Sequence, residues 1–165
     1  VFVVVARFWG KRMVIMAKAE LIHKNWFFDW FYRQVDVVGI ERGKGDMDVV
    51  EGIVQQVKDG HGLLIFPEGT RTGWDGQVKL HRGAVSIGLR SAAVITPVVI
   101  KMTPPNFKKG QPWYYIPPQK IHYEITVGED IDPQSWLAEK PLPIAARRLN
   151  EYLQNYFIKL KMIGI

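Results

Sequence analysis

The sequence lacks cysteine, and it has no long apolar run. Zero cysteines among 165 residues exclude a disulfide framework and thiolate metal sites. A membrane-spanning helix needs about 20 consecutive apolar residues, and every apolar run in this sequence is shorter. The four histidines are scattered without the spacing of metal ligands, so we expect no metal site. The sequence also contains no internal repeat and no low-complexity segment.

The composition is that of one folded, basic domain. Apolar residues make up 47% of the chain and charged residues 23%, which is typical of globular proteins. A chain of 165 residues can bury one sizeable core. The net charge of +6 favours an anionic partner. Because we find no nucleic-acid-binding motif, a membrane surface is a better match than a nucleic acid.

The apolar pattern predicts strands and helices along the whole chain. It favours a mixed, largely parallel sheet flanked by helices, which is an α/β fold. Residues 1–6 are apolar and fit either a helix or a strand. The predicted strands cover 12–18, 35–41, 63–66, 94–101 and 120–127; the predicted helices cover 47–59, 79–90 and an amphipathic 144–160, with a connector at 129–143.

The stretch from Leu63 to Arg71 carries the most chemistry. Its first four residues are apolar, as in a strand buried on both faces, and Pro67 should end that strand. A carboxylate, a hydroxyl and a guanidinium follow at once: Glu68, Thr70 and Arg71. Ligands of α/β sheets bind beyond the carboxyl ends of the strands, and an arginine fork suits a phosphate. An ordinary strand exit with a solvated Glu–Arg pair accounts for the same residues equally well.

A resemblance to a known family separates these two interpretations. Phe66–Arg71 reads F-P-E-G-T-R, which resembles a sequence block of the lysophospholipid acyltransferase family, including the 1-acylglycerol-3-phosphate acyltransferases. Three further stretches resemble other blocks of that family in the right order: Ala17–Leu21, Val38–Arg42 and Val94–Val99. The resemblance covers roughly residues 1 to 128 and implies a glycerolipid acyltransferase-like fold.

The resemblance implies a site for the head group of a lipid. Arg71, with Lys18 and Arg42, would hold the phosphate. Glu68 would orient glycerol hydroxyls or brace the loop, and Gly69 would permit close approach of the ligand. The expected phosphate- and glycerol-binding residues are therefore Lys18, Arg42, Glu68, Gly69, Thr70 and Arg71, and the expected pocket residues are Phe66, Pro67 and Pro97.

The implied reaction moves an acyl group from an acyl-CoA or acyl-carrier-protein thioester to a hydroxyl. The acceptor would be a lysophospholipid or a glycerol phosphate, and the pathway would be phospholipid biosynthesis. The thioester is a donor substrate, so no bound cofactor is expected. Expected partners are the acceptor, acyl carrier protein and a membrane surface, but no nucleic acid. The expected location is the cytoplasmic face of the inner membrane.

One departure from the family pattern concerns the general base. The family's Asn-His-x4-Asp block is absent from the 165 residues, so the catalytic histidine and its aspartate are expected upstream of Val1. His23 precedes Asp29, but the spacing is one residue too long and the segment is misplaced. We therefore expect a single acyltransferase-like domain over 1–165 that lacks its N-terminal part and does not turn over alone. The alternative is a non-catalytic lipid- or acyl-carrier-binding module.

Two segments are candidates for contact with lipid. Residues 20–34 are denser in aromatics than a one-sided helix requires, which fits a buried helix, an acyl-chain lining or an interfacial face. Residues 157–163 mix basic and apolar side chains at the end of the last predicted helix. Packing against the core is the commoner explanation for such a helix end.

Overall fold

A computed structural model describes residues 2–5, 13–18, 37–40, 47–92, 94–112, 114–138 and 140–162, with backbone alone at 2–5, 17–18, 37–40 and 161–162. The described strands are β1 (Phe2–Val5), β2 (Met13–Lys18), β3 (Val37–Ile40), β4 (Gly62–Ile65), β5 (Thr96–Thr103) and β6 (His122–Val127). The described helices are α1 (Met47–Lys58), α2 (Arg82–Ser91), α3 (Pro133–Leu137) and α4 (Leu142–Met162).

The described strands form one mixed sheet in the order β3-β2-β4-β1-β5-β6. Strand β2 is parallel to β3 and β4, whereas β1 is antiparallel to β4 and β5, and β6 is antiparallel to β5. Because β1 runs opposite to both of its neighbours, β5 runs in the same direction as β4. The carboxyl ends of β2, β3, β4 and β5 therefore point to one edge of the sheet, which we call the carboxyl edge.

Strand β4 follows from its continuous apolar sequence. Leu63 and Ile65 are buried and Leu64 is half-buried, so the strand is covered on both faces. The predicted strand over 63–66 is confirmed within one residue, because it begins at Gly62 and ends at Ile65. It ends there because Phe66 opens a turn and Pro67 has no N–H to donate.

Helices α1 and α2 lie where the helical spacing predicts them. Helix α1 buries Ile53, Val54 and Val57 and ends before Gly60, whose φ of 91° suits glycine at a helix terminus. Helix α2 begins at Arg82 rather than at the predicted Lys79. The cause is that His81 has an extended backbone, with φ of −95° and ψ of 136°, so helical geometry begins only after it.

The predicted connector over 129–143 contains a short helix, α3. The Asp132 side chain accepts a hydrogen bond from the Gln134 N–H at 2.8 Å, and Pro133 occupies the first turn, so the helix has a proper N-terminus. Helix α4 is longer than the predicted 144–160 and packs against α2. No described helix is both long enough and apolar enough to cross a membrane.

The core lies between the helices and one face of the sheet. Val14, Leu63 and Ile65 share that face and contact the same buried cluster as the helices. Helix α4 contributes its buried side to this cluster through Ala145, Ala146, Leu149, Leu153 and Phe157. Fully burying a side chain such as leucine stabilises the fold by roughly 1.5–3 kcal/mol.

The mixed α/β architecture predicted from sequence is confirmed, with strands 12–18, 35–41, 94–101 and 120–127 each matched within about two residues. Two of the five described strand pairs are parallel, so these pairs do not show a parallel majority. Residues 2–5, which the pattern left open, form an inner strand. The aromatic segment 20–34 lies outside the described residues.

Pro97 lies in β5, an inner strand, where a missing N–H is normally unfavourable. It is the second residue of that strand, and the ladder to β6 begins only at Val98. The Pro97 carbonyl accepts a hydrogen bond from the Gly128 N–H at 2.8 Å, just past the end of β6. The strand thus accommodates proline near its start, where a donor to β6 is not needed.

Candidate functional site

The carboxyl edge brings together the segments that carry three of the predicted phosphate-binding residues. Lys18 is the last residue of β2 and is paired in register with Ile40, the last residue of β3. Strand β4 adjoins β2 and ends at Ile65, so the following residues leave the same edge. The side chain of Lys18, and Arg42 altogether, lie outside the described residues.

A tight turn follows β4 directly. The Gly69 N–H donates to the Phe66 carbonyl at 2.9 Å, and Gly69 has a φ of 58°. Residues that carry a Cβ rarely adopt this left-handed backbone conformation, so the turn needs glycine at position 69. Pro67 is buried within the turn, while Phe66 and Thr70 are exposed. The turn therefore presents residues 68–71 at the carboxyl edge.

Glu68 points into the protein. Only 6% of its surface is exposed, and its carboxylate oxygens accept from the Thr72 hydroxyl at 3.1 and 3.3 Å. A buried carboxylate is stable only when it is hydrogen-bonded. This contact is the kind that a residue bracing the loop makes. Binding of glycerol hydroxyls by Glu68 stays a prediction.

Arg71 is exposed and is held by a distant part of the chain. Its Nη1 donates to the carbonyl of Gln111 at 2.6 Å. A guanidinium has five N–H donors in a rigid fork, and this bond uses one of them. The bond fixes the fork at one corner, so less side-chain entropy is lost when an anion binds.

Gln111 belongs to the long loop between β5 and β6, residues 104–121, which we call the β5–β6 loop. A second bond attaches this loop to the site, because the Lys109 N–H donates to the Thr72 carbonyl at 3.1 Å. The loop is closed on itself by Gln111, whose N–H and Oε1 bond the carbonyl and N–H of Lys108. Sequence analysis did not identify Gln111. The contact with Arg71 uses the backbone carbonyl of Gln111, which every residue type has, so the residue type gave no signal.

The N-terminus of α2 also contacts the turn. The His81 N–H donates to the Pro67 carbonyl at 2.8 Å. No acidic residue lies in the first turn of α2, and His81 forms no side-chain cap. The positive end of a helix dipole therefore lies beside residues 66–71 and favours a negative ligand there. The side chains of His81 and Arg82 are exposed.

The N-terminus of α2 is positioned in turn by α4. The Leu80 N–H donates to Gln154 Oε1 at 3.3 Å, and its carbonyl accepts from Asn150 Nδ2 at 3.4 Å. Both side chains come from α4, which is fixed in the core through nearby positions such as Leu149 and Leu153. The rigid part of the fold thus supports the turn after β4.

Pro97 lies two strands away from the end of β4. Ile65, Val3 and Pro97 lie in one row across β4, β1 and β5, which places Pro97 about 10 Å from the end of β4. Pro97 instead lines a pocket of about 420 Å³ together with residues 127–131 and two α4 tyrosines, Tyr152 and Tyr156. Phe66 and Pro67 are not among the residues that line this pocket, and a pocket shared by the three predicted residues stays a prediction. Among the described residues, no three His, Asp or Glu side chains cluster as metal ligands.

Comparison with known proteins places this geometry in a family context. The family model described as Acyltransferase matches residues 2–101. The chain is 31% identical over 99 residues to the 1-acyl-sn-glycerol-3-phosphate acyltransferase of Bacillus subtilis (strain 168), covering 58% of this chain and 48% of that protein. It is 29% identical over 90 residues to the lyso-ornithine lipid O-acyltransferase of Pseudomonas aeruginosa (strain PAO1), covering 53% of this chain and 34% of that protein.

These matches confirm the resemblance that the sequence blocks indicate. The chain spans about half and about a third of the length of these two relatives. No solved structure shows a significant match to it. Since the family model covers more than half of the 165 residues, and both relatives are lipid acyltransferases, the chain belongs to the Acyltransferase family.

Proposed function

We propose that this protein transfers an acyl group from a thioester donor to the free hydroxyl of a lysophospholipid or glycerol phosphate. The observation that carries the proposal is the turn after β4. It places Arg71 at the carboxyl edge, bound to Gln111, beside the N-terminus of α2. Both features favour an anionic head group at this position. Family membership supplies the reaction class.

Each predicted residue then has a physical task. Arg71 binds the anionic head, together with Lys18, the last residue of β2, and Arg42, which follows β3 in the sequence. Gly69 lets the backbone turn, and Glu68 holds the turn through Thr72. Thr70 offers an exposed hydroxyl beside Arg71. These tasks concern binding and orientation of the acceptor.

The chemical step needs a general base to deprotonate the attacking hydroxyl. Histidine is the usual choice near neutral pH. The Asn-His-x4-Asp block of the family is absent from the 165 residues, so we expect this chain alone to bind acceptor without turnover. The donor is acyl-CoA or acyl carrier protein. We further propose that the protein works at a membrane surface on the cytoplasmic side.

The second candidate is a non-catalytic module that binds lipid or acyl carrier protein. Such a module would keep the head-group site at the turn after β4 without a general base acting on a hydroxyl. The two candidates differ in whether a product forms when the protein is expressed as its gene encodes it.

The deciding experiment is an acyl-transfer assay with the protein as its gene encodes it. Radiolabelled acyl-CoA or acyl carrier protein is supplied with lysophosphatidic acid or lyso-ornithine lipid, and lipids are separated by thin-layer chromatography. We expect a labelled diacyl product from at least one acceptor, and acceptor binding without product from residues 1–165 alone. Binding without product from the gene-encoded protein would favour the module instead, and turnover by residues 1–165 would place the base inside them.

A further inference from the structure

The β5–β6 loop exposes several large apolar side chains. Ile116 is 87% exposed and Tyr114 is 69% exposed, and Phe107 and Tyr115 are also exposed. Single exposed apolar residues are ordinary, but several within ten residues of one loop mark an interaction surface. A loop of 18 residues without helix or strand is also unusual unless it has a function.

The same loop is positively charged. Residues 104–121 contain Lys108, Lys109 and Lys120 and no aspartate or glutamate. Lys109 and Lys120 are exposed. Near an anionic bilayer, each basic residue strengthens binding by about fivefold. The charge of the loop is therefore complementary to anionic lipid.

The loop also lies at the carboxyl edge. It begins where β5 ends, and β5 runs in the same direction as β4. It is bound to the turn after β4 through the Arg71–Gln111 and Lys109–Thr72 hydrogen bonds. Whatever the loop docks on is thus brought to the side of the protein that carries Arg71.

We propose that the β5–β6 loop is the surface with which this protein docks on an anionic lipid bilayer. Tyrosine and isoleucine beside lysine are the side chains that settle between lipid and water. An acidic protein would be attracted by the lysines but would not require apolar side chains as exposed as Ile116. The proposal rests on the proposed function, because a lipid acceptor taken from that bilayer would meet Arg71 at the same edge.

The structure also indicates which candidate surface is the weaker one. The end of α4, which combines basic and apolar residues, has Leu153 and Phe157 buried in the core. Two aliphatic side chains of α4, Ile144 near its start and Ile158 near its end, are 40% and 37% exposed, which is much less than Ile116. Helix α4 therefore provides matched apolar positions away from the loop, and these serve as controls.

The test is co-sedimentation of the gene-encoded protein with vesicles of phosphatidylcholine, or of phosphatidylcholine and phosphatidylglycerol in equal parts. The double variant Tyr115→Ser/Ile116→Ser should bind mixed vesicles at least about tenfold more weakly. The reason is that it lacks the apolar surface that Tyr115 and Ile116 would bury in the bilayer. Lys109→Glu/Lys120→Glu should lose a similar factor on mixed vesicles only. Ile144→Ser/Ile158→Ser should bind as the unmodified protein does.

Any of three results would overturn the proposal. The first is unchanged vesicle binding by both loop variants, and the second is an equal loss in the α4 control. The third is a loss with the charge variant alone, which would indicate an electrostatic partner such as an acidic protein.

Acyl transfer to a short-chain, water-soluble acceptor separates this proposal from the proposed function. The Tyr115/Ile116 variant should retain that activity. Absence of product from the unmodified protein would refute the proposed function. Vesicle binding would still measure the docking surface in that case.

Discussion

At the scale of single residues, Glu68 and Arg71 lie three positions apart, but their side chains take different environments. Glu68 is buried and accepts from Thr72, whereas Arg71 is exposed and donates to Gln111. The solvated Glu–Arg pair that simple chemistry allowed is therefore not the arrangement. The sequence could indicate that these residues matter, but not their partners, since Gln111 is 40 positions away.

Gly69 should be required for the stability of the turn after β4. Its φ of 58° is unfavourable for any residue with a Cβ, so Gly69→Ala should lower the free energy of unfolding by about 1–2 kcal/mol. The matched control is Gly52→Ala. Gly52 lies in α1 with nothing within 4 Å of an added Cβ, so this change should raise stability by about 1 kcal/mol.

Urea unfolding of the two glycine variants and the unmodified chain measures both effects. The signs should be opposite. An equal gain in stability from both alanines would show that the turn at Gly69 does not adopt the left-handed conformation.

At the scale of elements, regular periodicity predicted α1, α2 and α4, because each places apolar residues on one face over ten or more positions. Helix α3 was missed because five residues are too few to show a helical period. Its Asp132–Pro133 start was the available signal. The start of α2 shifted because His81 adopts an extended backbone, which the apolar spacing does not reveal.

Helix α4 should stabilise the fold mainly through its buried side. Leu149 is 0% exposed, so Leu149→Ala should reduce the free energy of unfolding by about 2–5 kcal/mol through lost burial and a residual cavity. Glu151 lies on the same helix, is exposed and forms a pair with Arg147 at 3.9 Å. Such exposed pairs contribute little, so Glu151→Ala should change stability by less than about 0.5 kcal/mol.

Chemical denaturation of both α4 variants distinguishes burial from surface charge. A loss below about 1 kcal/mol for Leu149→Ala would contradict the placement of this side chain in the core. A loss of several kcal/mol for Glu151→Ala would mean that the charged face of α4 is packed rather than solvated.

At the scale of the whole molecule, strand and helix alternation predicted a mixed α/β fold, whereas only the family resemblance implied that the residues after β2, β3 and β4 act together. The position of β1 could not be predicted. Six apolar residues have no decisive period, and nothing local indicates that β1 runs antiparallel between β4 and β5. That strand lies between Pro97 and the end of β4, so the separation of Pro97 from the turn after β4 could not be predicted either.

The architecture gives the carboxyl edge a consistent character. Strand ends, the N-terminus of α2 and the β5–β6 loop meet around the turn after β4 through backbone and side-chain hydrogen bonds. Positive charge comes from side chains and from a helix dipole. The central claim is that this edge binds the anionic head of an acyl acceptor through Arg71.

The most direct test is kcat/KM for lysophosphatidic acid in the gene-encoded protein with Arg71→Ala, Arg71→Lys and Arg90→Ala. Arg90 lies at the other end of α2 and pairs with Glu51, so it is the matched control. Losing charge-assisted bonds of about 1.5–3 kcal/mol predicts about a 10- to 100-fold fall for Arg71→Ala. Lysine keeps the charge without the fork and should fall in between. Arg90→Ala should stay within about twofold of the unmodified protein, as expected of a partly exposed pair. An unchanged kcat/KM in Arg71→Ala would contradict the account.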